Sequence, residues 1–324
     1  MNQPMMRITI GAGLIAGTAA VLLADVAVSR WAEANLAPGF WLLLVASLAL
    51  GCREFTRMVR GCGQPVRPAI ALVFVLLLQA CVWMETYHRD DIQEWLRVRG
   101  LELYLLLIVG LVFTTFLAEI WGVERGAQSS AARPGSQPAA GPNSAPTSGL
   151  SNSDMTRALA SVGWTVLVVL TVGLLGVFLA KVRFLEPKDS MRGLMYLALT
   201  LGVVKASDIG AYAVGSALGR HRLVPKISPR KTVEGLVGAL AAGIGMAMAI
   251  GIGWGRFAWP EMLLFGTAVS VSGMLGDLAE SLIKRGCGVK DSGPIPGFGG
   301  ALDILDSMLA AGPVAYLVLV VLTG

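Results

Sequence analysis

Long runs of apolar residues recur along the whole chain, and they limit its fold more than any other feature. Ile8–Val28, Ala69–Trp83, Leu101–Trp121, Ala158–Ala180, Val233–Trp254 and Met262–Leu282 approach the length of about 20 residues that an α-helix needs to cross a bilayer core. Three shorter stretches, Phe40–Leu50 (extended back to Leu36), Met191–Val204 and Met308–Leu322, read as the second, sixth and ninth members of the series. The expected class is therefore all-α, a polytopic transmembrane helical bundle of about nine spans. The 324 residues are 55% hydrophobic and 15% charged, against roughly 45–50% and about 25% in soluble domains. A cleaved signal peptide is the weaker reading of Ile8–Val28, because so many spans follow it.

Between 124 and 154 Pro, Ser, Ala and Gly dominate and no apolar period survives. Such a segment buries too little surface to fold, so it reads as a linker. It separates an N-terminal block of about four spans, 1–123, from a C-terminal block of about five, 155–324. The formal net charge of +5 is read as basic cytoplasmic loops rather than as a nucleic-acid partner. Arg53, Arg57, Arg60 and Arg67 stand against one acid, Glu54. With the N-terminus inside, residues 53–67, 124–154, 205–232 and 284–306 all face the cytoplasm. Residues 181–192, with Lys181, Arg183, Lys188 and Arg192, dissent, since the same count puts them outside. The four cysteines lack metal-type or disulfide spacing, and only His88 and His221 could join them. Cys287 reads as filler.

Chemistry concentrates in Ser281–Ser307, SLIKRGCGVKDSGPIPGFGGALDILDS, wedged between two apolar runs. Charges of both signs beside a glycine-rich turn are costly there unless they act. Asp303 and Asp306 lie i and i+3 at the start of the last helix, and with Asp277 they supply hard oxygen ligands for Mg²⁺. Helix capping by an Asp explains one of these acids but not the set. Glycines of Pro296–Gly300, Gly299 and Gly300 among them, let backbone N–H groups line an anion-binding concavity. Upstream, in GDLAESLIKR, Asp277 and Glu280 share a helix face, and the bland reading pairs Glu280 with Lys284. In Lys205–Gly235, Asp208 ends the sixth span, and Lys226, Ser228, Arg230, Lys231 and Thr232 form a dense donor group suited to a phosphate chain. Together these point to phosphoryl or nucleotidyl transfer at a membrane surface. No Ser–His–Asp or Cys–His nucleophile set is expected.

Gly276–Ser281 followed by Lys284-Arg285, then Val289–Gly293, Pro296-Gly297, Gly299-Gly300, Leu302-Asp303 and Asp306-Ser307, resemble the signature of phosphatidate cytidylyltransferases, the CDP-diacylglycerol synthases. Asp208–Tyr212, Ile227–Gly235 and Arg53–Phe55 are similar to other blocks of that family. The resemblance implies an often dimeric, Mg²⁺-dependent membrane enzyme. It would join CTP and phosphatidate into CDP-diacylglycerol and pyrophosphate. It implies Asp277 and Asp303 as metal ligands with Asp306 close by, and Lys226, Arg230, Lys231, Lys284, Arg285 and Lys290 as phosphate holders. Lys290 and Asp291 join the three acids as catalytic candidates. Phe298 stands where the family usually has His, Ile304 where it has Arg, and the segment after Gly293 is one residue shorter. The metal-type acids are kept, so the reading is a divergent, active member in the inner membrane with its site facing the cytoplasm. The alternatives are a CTP-dependent kinase of a polyprenol-type lipid alcohol, and a non-catalytic binding or transport protein.

Overall fold

The computed structural model describes residues 3–31, 37–87, 93–131, 151–293 and 299–324. Among them the chain forms helices α1 (Gln3–Trp31), α2 (Pro38–Gly61), α3 (Pro68–Tyr87), α4 (Gln93–Ala131), α5 (Asn152–Val168), α6 (Leu175–Arg183), α7 (Ser190–Leu218), α8 (Val233–Gly253), α9 (Trp259–Gly286) and α10 (Ala301–Thr323). A π-helical turn, Val169–Leu174, joins α5 to α6, so the pair forms one long rod. Local chemistry sets several starts. Ser151 and Asp154 close a reciprocal capping box on α5. The Asp189 carboxylate accepts the Arg192 N–H at 3.0 Å at the head of α7.

Seven helical segments among the described residues are long and apolar enough to cross a membrane. They lie on α3, α4, the α5–α6 rod, α7, α8, α9 and α10. The expected spans Ile8–Val28 and Phe40–Leu50 fall on α1 and α2, outside those seven. The apolar stretch of α2 is short of a bilayer's requirement, and the helix continues through Arg53, Glu54, Arg57 and Arg60.

The fold departs from the sequence expectations in four places. Asp208 does not end its helix, because α7 runs on to Leu218. Gly210 of α7 sits where any Cβ would strike the Gly238 carbonyl of α8, so this glycine lets the two helices touch. The segment after α7 is not irregular loop. Strands β1 (Arg222–Val224) and β2 (Ser228–Thr232) pair antiparallel as a hairpin. Residues 124–131, expected in the linker, continue α4, while 132–150 lie outside the described residues. Two of the four cations of the basic segment 181–192 are ion-paired and a third is buried. Lys181 Nζ lies 2.8 Å from Glu85 of α3, Arg183 is fully buried, and Arg192 pairs with Asp189 at 3.0 Å and Glu186 at 3.9 Å. These charges are therefore a poor guide to which side of the membrane the segment occupies.

The two blocks share one core. α10 packs on α2 and α6 as well as on α9, and Gly51 of α2 faces Leu302 and Leu305 of α10. At the other end of α2, Asp25 of α1 is buried and accepts the Gly39 and Phe40 N–H groups at 2.9 and 2.6 Å. It thereby caps α2. An aromatic cluster closes that end, with Trp41 stacked on Phe184 at 5.5 Å and Phe40 edge-on to it at 5.7 Å. The C-terminal end of α2 lies at the opposite pole, against the head of α10.

Candidate active site

At that pole α7, the hairpin, α8, α9 and α10 enclose a cavity of about 980 Å³. α8 and α10 enter it with their N-terminal turns, and α9 enters it near its C-terminus. The Thr232 hydroxyl accepts the Gly235 N–H at 3.0 Å, which caps α8 and ends the hairpin in one step. The hairpin thereby holds Arg222, Arg230 and Lys231 against the cavity. Lys231 Nζ reaches Asp277 Oδ2 of α9 at 2.7 Å.

Asp277, Glu280 and Asp306 form the centre. They offer carboxylate oxygens that all lie within 4.8 Å of one another. Asp277 and Glu280 are i and i+3 on α9, and Asp306 is supplied by α10 where the two helices touch. The touch depends on Gly276, whose Cβ would come 2.6 Å from the Asp306 carbonyl oxygen. Glu280 is buried, and its Oε1 has no hydrogen-bond donor. Its other oxygen lies 2.9 Å from Lys284 Nζ. Three carboxylates this close repel one another. Lys231 and Lys284 offset the charge only in part, which suits an oxygen-rich divalent-cation site. Asp208 of α7 lines the same cavity and lies 3.3 Å from Lys205 Nζ and 3.5 Å from Ser307 Oγ.

Asp303 is employed differently. Its Oδ1 lies 2.6 Å from Lys284 Nζ. Its Oδ2 accepts the Gly300 N–H at 2.7 Å and the Ser292 N–H at 3.0 Å. Through these contacts it ties α10 to Lys284 of α9 and to Ser292. Of the expected trio Asp277, Asp303 and Asp306, Asp277 and Asp306 group most closely with Glu280, and Asp303 stands beside them on the same cavity wall. The expected Glu280–Lys284 pair does form, but Lys284 is shared with Asp303 and held between two carboxylates.

Of the remaining expected residues, Asp208, Arg230, Lys231, Thr232, Lys284, Lys290, Asp291 and Gly299 border the cavity. Lys226 and Ser228 do not; they sit at the far end of the hairpin. Arg285 turns away from the cavity to the Ile227 and Val289 carbonyls at 3.4 and 3.3 Å. Gly300 caps α10 just outside the wall, and Ile304 is also off it. Pro296, Gly297 and Phe298 lie outside the described residues. Cys287 is buried core, as expected of filler. Burial, helped by the neighbouring Cys62 thiol, pushes its own thiol well above the usual range. Two residues gain importance. Arg222 lines the cavity from β1, and Glu54 of α2 reaches Ser292 and Leu302. Glu280 carried a signal in its i, i+3 spacing from Asp277. Glu54 was visible as the one acid in a basic segment and as part of the family-like block Arg53–Phe55, but with no role attached.

The family model described as the cytidylyltransferase family matches residues 7–322. The chain is 42% identical over 143 residues to the phosphatidate cytidylyltransferase of Synechocystis sp., covering 42% of this chain and 47% of that protein. It is 38% identical over 160 residues to the phosphatidate cytidylyltransferase of Bacillus subtilis, covering 49% and 58%. It is 31% identical over 288 residues to that of Mycobacterium bovis, covering 88% and 82%. The chain thus spans about half the length of the first two relatives and most of the third. The chain belongs to the cytidylyltransferase family.

Proposed function

We propose that the protein transfers the cytidylyl group of CTP to phosphatidate, giving CDP-diacylglycerol and pyrophosphate, with Mg²⁺ as cofactor. The observation that carries this reading is one cavity that presents the Asp277, Glu280 and Asp306 carboxylates beside Arg222, Arg230, Lys231 and Lys290. Its volume of about 980 Å³ suits a nucleotide-sized ligand, at the upper end of the range of about 300–1,000 Å³ for small-molecule pockets. The relatives' names supply the substrates.

The donor set fits the cofactor. All three groups are hard carboxylates, and the donorless buried Oε1 of Glu280 is accounted for by a cation. Bound there, Mg²⁺ would neutralise phosphate charge and bring the attacking and leaving oxygens into line. Asp277, Glu280 and Asp306 would hold it. Arg222, Arg230 and Lys231 would take the triphosphate from the hairpin side, and Lys290 from the α9–α10 side. Lys284, already between Glu280 and Asp303, would fix those two acids rather than grip substrate. A phosphate oxygen of phosphatidate attacks the α-phosphorus of CTP, the bond to the β-phosphate oxygen breaks, and pyrophosphate leaves. Ile209 and Tyr212, both strongly exposed on α7, flank Asp208 with an apolar border that suits a substrate whose acyl chains stay in the bilayer.

Nine crossings, counting α1 and α2, belong to the same proposal. So do a position in the inner membrane with the cavity on the cytoplasmic side, contact with membrane lipids and a homodimer. The test is detergent-purified protein supplied with CTP, phosphatidate and Mg²⁺. CDP-diacylglycerol and pyrophosphate should form, and EDTA should stop the reaction. A lipid-alcohol phosphate with CDP as co-product, or no nucleotide chemistry at all, refutes the proposal.

A further inference from the structure

We infer that Glu54, on α2 and at least 238 residues away in sequence, is a positioning residue that clamps Ser292 and the first turn of α10 and so sets where α10 delivers its acids. The inference rests on the reading of the cavity as a transferase site.

The need for a clamp follows from the start of α10. Its N-cap is Gly300, which has no side chain to accept an N–H from the first turn. Asp303 reaches back to the Gly300 N–H but leaves the next donors unserved. Glu54 fills the gap from α2, since its Oε2 accepts the Leu302 N–H at 2.9 Å. The same oxygen accepts the Ser292 hydroxyl at 3.2 Å. A carboxylate at this end of a helix also meets the favourable end of its dipole. Two glycines are required by this packing. A Cβ on Gly293 would come 2.6 Å from Glu54 Oε1, and one on Gly300 would strike both Glu54 Oε2 and Ser292 Oγ.

Ser292 is therefore held twice, by its hydroxyl to Glu54 and by its N–H to Asp303. Asp303 passes the restraint to Lys284, and Lys284 passes it to Glu280 of the acidic trio. Asp306 lies one turn beyond Asp303 on the same helix. Glu54 touches no member of the trio directly. It acts by fixing both ends of the connection that carries Lys290 and Asp291, and the first turn that carries Asp303. A displacement of about 1 Å at such a point costs on the order of 100-fold in rate.

The test compares Glu54→Ala with Glu54→Gln, whose amide oxygen can still accept both donors. In Glu54→Ala, amide hydrogen exchange at 299–302, measured without substrate, should quicken at least about tenfold. Its kcat should fall on the order of 100-fold while KM for CTP stays within about threefold. Glu54→Gln should stay within about fivefold of wild type in both readouts. Ser292→Ala should slow the wild type severalfold and leave the Glu54→Ala background unchanged, because the partner is already gone. Unchanged exchange in Glu54→Ala, fast exchange with a wild-type kcat, or a Gln variant as impaired as Ala would each overturn the inference. If Glu54→Ala does not fold, Glu54→Asp, one methylene short of both donors, carries the same expectations. If the wild type makes no CDP-lipid, the proposed function fails, and the exchange measurement alone still decides the clamp.

Discussion

Replacing Asp303 by Asn separates two roles that its position near the acidic trio would otherwise confuse. Its carboxylate serves three donors: Lys284 Nζ at 2.6 Å, the Gly300 N–H at 2.7 Å and the Ser292 N–H at 3.0 Å. Asn offers one acceptor oxygen and one NH₂. In either amide orientation a donor meets a donor, at Lys284 or at the two backbone N–H groups. Hydrogen bonds to a charged group contribute about 1.5–3 kcal/mol each, and an unserved buried donor costs about 1–3 kcal/mol. The side chains of Asp303 and Lys284 are only 10% and 13% exposed, so solvent screening does little to soften the loss. The expected destabilisation is about 3 kcal/mol, the lower end of the range for breaking a buried ion pair. In a thermal melt of the detergent-solubilised protein this should lower the apparent Tm by several degrees, with activity lost alongside. Asp306→Asn is the contrast. Its carboxylate accepts the neighbouring Ser307 N–H and otherwise stands against the Asp277 and Glu280 carboxyl groups. Neutralising it should abolish transfer while leaving Tm unchanged or slightly raised. An Asp303→Asn protein that melts like wild type but has no activity would refute the structural role given to Asp303 and restore it as a plain metal ligand.

Three further outcomes follow from the same geometry. Lys231→Ala removes a cation 2.7 Å from Asp277 and should lower kcat/KM for CTP about 10–100-fold, whereas Lys226→Ala, off the cavity, should stay within about twofold. Gly276→Ala forces a Cβ to within 2.5 Å of Ala310 Cβ and 2.6 Å of the Asp306 carbonyl oxygen. It should cost about 1–3 kcal/mol in thermal stability and most of the activity, because it parts α9 from α10 beside the trio. The Cys287 thiol is buried and held above the ordinary cysteine range, so little of it is thiolate at pH 8. Alkylation by iodoacetamide at pH 8 should run at least about tenfold slower than for an ordinary thiol, and rapid labelling in the folded protein would contradict its burial.

Much of the site was readable from spacing. Asp277, Glu280, Asp303 and Asp306 are each i, i+3 pairs on helices whose apolar periods are plain, and the structure faces the two helices at that turn. Spacing could not say which acid faces which. Asp303 and Asp306 look equivalent in sequence, and only the backbone N–H groups of Ser292 and Gly300 draw Asp303 out of the trio. The extension of α7 over 205–218 was hidden because Lys205, Asp208 and two glycines, Gly210 and Gly215, mimic a loop. Tertiary packing overrides that composition, since Gly210 faces Gly238 across a helix contact. The hairpin was hidden for a related reason. Ser228–Thr232 carries Pro229, Arg230 and Lys231, a poor strand composition, and its pairing with Arg222–Val224 is fixed at one end by the Thr232 cap on α8. The contacts of Glu54 were beyond reach because its partners stand 238 and 248 residues away in the chain.

The most direct measurement follows the two ends of the CTP phosphate chain separately. Purified protein in detergent, with Mg²⁺ and phosphatidate, is given CTP labelled at the α-phosphate in one reaction and at the γ-phosphate in another. The expected result is α-label in a CDP-lipid and γ-label in pyrophosphate, both lost in Asp277→Asn. Appearance of the γ-label in the lipid, or of neither label in any product, would contradict nucleotidyl transfer by this cavity.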